Sequence, residues 1–203
     1  MFLYGNKTDE NWIVKEEPTS FYLLKSYVEN ILERLGFDLN KSIINSINND
    51  IFSEGLCFTF NEKPIVEFGI LNKKLAKKFD IENAVYYADF NWSNVLKNIA
   101  KHHIRFAELP KYPEVRRDLA LLLNKDIQFG KIKELAFSTE RKLLKKVSLF
   151  DVYEGEKIGI DKKSYAISFV LQDETKTLTD KQIDKIIENL IRVFEKELGA
   201  TLR

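Results

Sequence analysis

Apolar residues recur at helical spacing in two long stretches of this chain and gather at strand length in several shorter ones. Phe21, Leu24, Val28, Ile31/Leu32 and Leu35 follow a helical period. Pro18-Thr19-Ser20 supplies a cap for orphan N–H groups before them, and Gly36 a stop after them. "LCFTF" (56–60), "PIVEFGIL" (64–71) and "AVYYADF" (84–90) are rich in aromatic and β-branched residues and predict strands. Short helices are expected at 72–79 and 92–101. The opening "MFLYGN" reads as the end of a strand, hence the expectation that the sequence is a piece of something longer.

"ELPKYPEV" (108–115) holds two of the four prolines and is the candidate linker, which divides the chain into 1–107 and 108–203. Beyond it, "RRDLALLL" (116–123) predicts a strand and "IQFGKIKELAFS" (127–138) a helix. "LLKKVSLFDVY" (143–153) and "KSYAISFVLQ" (163–172) predict two more strands. Residues 179–199 predict a long amphipathic helix with Ile183, Ile186/Ile187, Leu190, Val193/Phe194 and Leu198 on its buried stripe, Thr179 as cap and Gly199 as stop. "ATLR" leaves room for a last short strand. The fold class is therefore α+β: an antiparallel first half, then the β-α-β-β-α-β order of the ferredoxin-like fold, in which helices cover one sheet face and leave the other open.

Strand alternation assigns the faces. In 163–172 the apolar set is Tyr165, Ile167, Phe169 and Leu171, and the small or polar set is Ser164, Ala166, Ser168, Val170 and Gln172. In 116–123 the leucines Leu119, Leu121 and Leu123 point inward, leaving Arg116, Asp118 and Ala120 outward. In 143–153 strict alternation sends Phe150 and Val152 to the core and Leu149, Asp151 and Tyr153 to the other side. An aromatic ring to stack on, an acid and a hydroxyl to read base edges, and an arginine for phosphate are the parts of a single-stranded RNA reader. Composition alone favours an ordinary solvated face.

Charge narrows the classes. Thirty-two Lys and Arg stand against 31 Asp and Glu, so a nucleic-acid contact would be a local patch rather than the whole surface. The lone cysteine, Cys57, excludes an internal disulfide and a cysteine-rich zinc site, and points to a reducing compartment. No apolar run reaches the roughly 20 residues of a membrane-spanning helix. His102-His103 is the only histidine pair, too few ligands for a metal. There is no P-loop, GxGxxG or GxSxG.

"KYPEVRRDLALLLN", "VSLFDVYEGEKI", "KKSYAISFVLQDETKTLTDKQI" and the terminal "GATLR" together resemble the ferredoxin-fold anticodon-binding domain that closes the β subunit of bacterial phenylalanyl-tRNA synthetase. "GNKTDENW" followed by "SFYLLKSYVENILERLG" resembles the end of the catalytic-like module of the same subunit, a class II synthetase fold without the active site. The resemblance implies a noncatalytic part of a cytoplasmic phenylalanine–tRNA ligase, with tRNA(Phe) and the α subunit as partners in an (αβ)2 heterotetramer. It implies no cofactor on this piece, ATP and Mg²⁺ for the complete enzyme, and no membrane. It assigns Tyr153 to stacking on an anticodon base and Asp151 and Ser164 to hydrogen-bonding it. Arg116, Arg117 and Arg203 are added as candidates for backbone contacts, and no catalytic or metal-binding residue is expected. Two rivals remain at this level: a protein-interaction module using the open sheet face, and a metabolite-binding regulatory domain.

Overall fold

The structure, a computed structural model, describes residues 1–99, 108–155 and 158–203. The chain divides into two compact units, Met1–Phe106 and Ala107–Arg203. The His102-His103 pair, the last residues of the helix expected at 92–101, and position 107, the expected end of the first half, lie outside the described residues.

The first unit runs β1 (Phe2–Leu3), β2 (Asn6–Thr8), β3 (Glu17–Pro18), α1 (Phe21–Arg34), β4 (Ile43–Ile47), β5 (Phe52–Phe60), β6 (Lys63–Leu71), α2 (Lys73–Ala76), β7 (Tyr86–Phe90) and α3 (Trp92–Ile99). Five of these strands form an antiparallel sheet in the order β1-β7-β6-β5-β4. Helix α1 starts where expected, because the Ser20 hydroxyl accepts a hydrogen bond from the Leu23 N–H at 3.2 Å. Its Leu24, Val28 and Leu32 are buried against Phe58, Ile65 and Phe68 of the sheet. Gly55 and Gly69 face each other across β5 and β6, where a Cβ on Gly69 would come within 2.2 Å of the Glu54 carbonyl oxygen; only glycine fits that approach. The opening "FL" is a strand paired to Tyr86 and Tyr87 of β7. Strand β4 was not anticipated: it is the sheet's edge and four of its five side chains are exposed, so it carries no burial pattern to read. Strand β5 begins at Phe52 rather than at Leu56.

The second unit runs β8 (Val115–Asn124), α4 (Phe129–Thr139), β9 (Leu144–Tyr153), β10 (Lys162–Leu171), α5 (Asp180–Leu198) and β11 (Thr201–Leu202). Its sheet is antiparallel in the order β11-β8-β10-β9, so the last strand lies beside the first, as the ferredoxin-like order requires. Both helices cover one face: Ile132 and Ala136 of α4 and Ile183, Leu190 and Phe194 of α5 share a core with Leu121, Ile167 and Phe169 of the strands. Helix α5 begins at Thr179, whose backbone N–H and hydroxyl both donate to the Gln182 side-chain oxygen at 3.1 and 3.0 Å. It ends at Gly199, whose φ of +60° suits the left-handed cap that starts the turn into β11.

Candidate nucleic-acid interface

The uncovered face of the second sheet is built on β10, an inner strand whose Tyr165, Ile167, Phe169 and Leu171 are buried under the helices. That leaves Ser164, Ala166, Ser168 and Val170 on the other side, level with Leu122, Ala120, Asp118 and Arg116 of β8. Small side chains there make a shallow floor between longer neighbours. Ser164 and Ser168 are only 4% and 6% exposed as a result, although no helix covers them.

Strand β9 departs from strict alternation. Its pairing with β10 shifts register twice: Leu171 faces Leu144 and Val170 faces Lys146, and later Ile167 faces Leu149 and Ala166 faces Asp151. Lys145 and Phe150 are the extra residues of two β-bulges, each adding one residue against a regular partner strand. The inward set is therefore Leu144, Val147, Leu149 and Val152. Leu149, expected outward, packs against the core. Phe150, expected in the core, is 54% exposed, and the Arg116 guanidinium of the open face stands 5.4 Å from its ring centroid. Val152 keeps its inward register but is 47% exposed near the strand end. Two apolar pairs out of phase in "VSLFDV", Val147/Leu149 and Phe150/Val152, are the sequence mark of this bulge.

The bulge leaves the expected reading group together. Asp151 is exposed and faces Ala166; Tyr153 faces Ser164, its direct cross-strand partner. The Tyr153 phenol lies over Gly155, where a Cβ would sit 2.7 Å from its oxygen. On its way past the end of β11, Arg203 donates its backbone N–H to the Ala120 carbonyl at 3.0 Å. Its guanidinium then crosses the floor of β8 and β10, three strand spacings of about 4.8 Å, to stand 5.0 Å from the Tyr153 ring centroid.

The other two arginines are differently placed. Arg116 is on the open face, bonded through both Nε and Nη2 to the Asp118 carboxylate at 2.9 and 3.1 Å. Those bonds, ahead of every other influence, hold the Asp118 carboxyl below the usual carboxylate range. Arg117 alternates to the helix-covered side and reaches Asp180 at the start of α5 at 3.5 Å. The structure thus gathers Asp151, Tyr153, Ser164, Arg116 and Arg203 on one face and sets Arg117 apart. Phe150 and Leu149 are the residues that alternation alone misplaced. Lys146 stands exposed on the same face, opposite Val170.

No other chemistry competes within the described residues. No three of their His, Cys, Asp and Glu side chains gather as a metal site. Cys57 is buried, and burial pushes its thiol up, away from the thiolate a nucleophile needs. No described helix is long and apolar enough to cross a membrane.

Comparison with known proteins gives the face a context. Residues 110–203 match the family described as "Ferredoxin-fold anticodon binding domain", and residues 1–92 match "Phenylalanyl tRNA synthetase beta chain CLM domain". The whole chain aligns with the phenylalanine–tRNA ligase beta subunit of Bacteroides thetaiotaomicron at 50% identity, covering 100% of this chain and 25% of that protein. The Porphyromonas gingivalis protein of the same name aligns at 40%, and that of Fusobacterium nucleatum at 34%, with the same two coverages. The chain thus spans about a quarter of the length of the curated relatives it matches.

Proposed function

We propose a function from one premise: this chain belongs to the family of phenylalanine–tRNA ligase β subunits, of which it carries the CLM domain and the ferredoxin-fold anticodon binding domain. The second unit, read as residues 108–203, holds the anticodon stem-loop of tRNA(Phe) on its uncovered sheet face. The first, residues 1–107, is a catalytic-like module without an active site and serves as scaffold.

The observation that carries this reading is the cross-strand pair Tyr153 and Ser164, with Asp151 beside it on the same face. A phenol ring offers a stacking surface to any base, worth about 1–3 kcal/mol. A carboxylate and a hydroxyl within reach of its edge accept and donate hydrogen bonds that distinguish one base from another. The Arg203 guanidinium now standing over Tyr153 yields that place to the incoming base and turns to a phosphate. Arg116, already committed to Asp118, contributes less as a phosphate ligand than its position suggests.

The complete enzyme would join phenylalanine to tRNA as an (αβ)2 heterotetramer in the cytoplasm, where translation takes place. ATP and Mg²⁺ would supply activation of the amino acid on the α subunit, and no step of that activation is assigned to this chain. Replacing Tyr153 by alanine in the complete ligase should lower charging at limiting tRNA while leaving phenylalanyl-adenylate formation unchanged. Normal charging by that variant would refute the stacking role.

A further inference from the structure

We propose that Phe150, backed by Arg116, is a second base-stacking platform, which takes the unpaired nucleotide next to the one on Tyr153. This rests on the anticodon reading above and extends it from one base to two.

A bulge re-aims a side chain, and here it turns out of the core a phenyl ring that strict alternation would have buried. A phenyl group left 54% exposed forgoes hydrophobic burial, and nothing in the packing of β9 requires it, since Leu149 already fills the inward place beside Ile167. The ring is held in a built setting. Arg116 stands over it at 5.4 Å and is itself fixed by two bonds to Asp118, whose carboxylate also meets Ser168. The arrangement repeats that at Tyr153, where a guanidinium from the far side of the sheet also stands over an outward ring of β9. Phe150 and Tyr153 lie on one strand with Asp151 and Val152 between them, about 10 Å apart at the usual rise per residue and somewhat less across a bulge. Successive bases of an unstacked single strand can span that separation, each laid on its own ring. Lys146 beyond Phe150 and Arg203 beside Tyr153 put a cation near each end of the track. Among the described residues the strands of the uncovered face carry the cations Arg116, Lys146, Lys162 and Arg203 against the carboxylates Asp118 and Asp151; that excess of positive charge suits a phosphodiester backbone, and the two outward rings suit its bases.

The test uses the full chain and an RNA hairpin with an unpaired loop, carrying a fluorescent adenine analogue at one loop position at a time. Stacking on a ring should change the emission at two neighbouring positions. Phe150→Leu keeps an apolar side chain but removes the ring. It should abolish the change at one of these positions and weaken binding about five- to a hundred-fold, the range one base stack carries. Phe150→Trp should keep both signals, which separates loss of stacking from loss of folding. Tyr153→Ala should abolish the other signal only. Wild-type affinity and emission in Phe150→Leu, with Tyr153→Ala still impaired, would overturn the second platform and leave the first standing; it would also be the outcome if Phe150 instead meets another protein. No binding by the unsubstituted chain, or full binding by both variants, would overturn the anticodon reading and this one with it.

Discussion

At Asp173 the chain makes a carboxylate that is only 7% exposed and yet charged. Its Oδ1 accepts hydrogen bonds from the Thr175 N–H at 2.8 Å and the Thr175 hydroxyl at 2.7 Å. The hydroxyl bond is the chief reason its carboxyl lies below the usual carboxylate range, as Arg116 is for Asp118. For a carboxyl lowered by folding, the stability it contributes is present above its unfolded value, about 3.9, and is lost as pH falls through the folded one. The urea midpoint should therefore fall as pH drops below about 4, and less steeply in Asp173→Asn than in the unsubstituted protein. A parallel fall in both would assign the acid limb to other groups. Cys57, with its thiol pushed up by burial, should react slowly with alkylating reagents until the chain is unfolded, as mass measurement of native and denatured samples can show. At this scale Tyr153 and Asp151 were legible in sequence, because an acid and a phenol at alternate positions of a strand share a face. Phe150 and Leu149 were not, because alternation is blind to an inserted residue until the partner strand is seen.

Among the elements, those with the strongest periodicity were the most legible. Strand β10 alternates without interruption from Ser164 to Leu171, and α5 carries both its stripe and its two end signals. The Thr179 cap tests that reading. Thr179→Ala removes the hydroxyl bond to Gln182 and should cost about 0.5–2 kcal/mol of stability, seen as a lowered denaturation midpoint without loss of helix content. An unchanged midpoint would mean that α5 is held by its buried Ile183, Leu190 and Phe194 alone. Strand β4 and the small β2-β3 pair were the least legible, for a physical reason. Strand β4 exposes most of its side chains, and β2 and β3 are three and two residues long, so burial writes no period into them. Strand β9 stands between: its inward set is apolar, but two bulges break the period, and only its pairing with β10 restores the register.

Over the whole molecule, the balance of 32 basic and 31 acidic side chains means that the proposed RNA binding would depend on a few local contacts, not on a general positive field. Its salt dependence should be correspondingly shallow, about −0.7 in log K per log salt for each phosphate contacted in a single strand. The chain divides into two compact units, and the two family matches end and begin on either side of residues 93–109; the motifs of the second half, not composition, suggested RNA as a ligand, since composition alone favours a solvated open face. The most direct test is an equilibrium titration of the full chain with an anticodon hairpin of tRNA(Phe), at several salt concentrations, before and after Tyr153→Ala. Binding should weaken as salt rises and drop about tenfold or more on loss of the ring. Equal affinity of the two proteins, with no response to salt, would contradict an RNA-binding face at Tyr153.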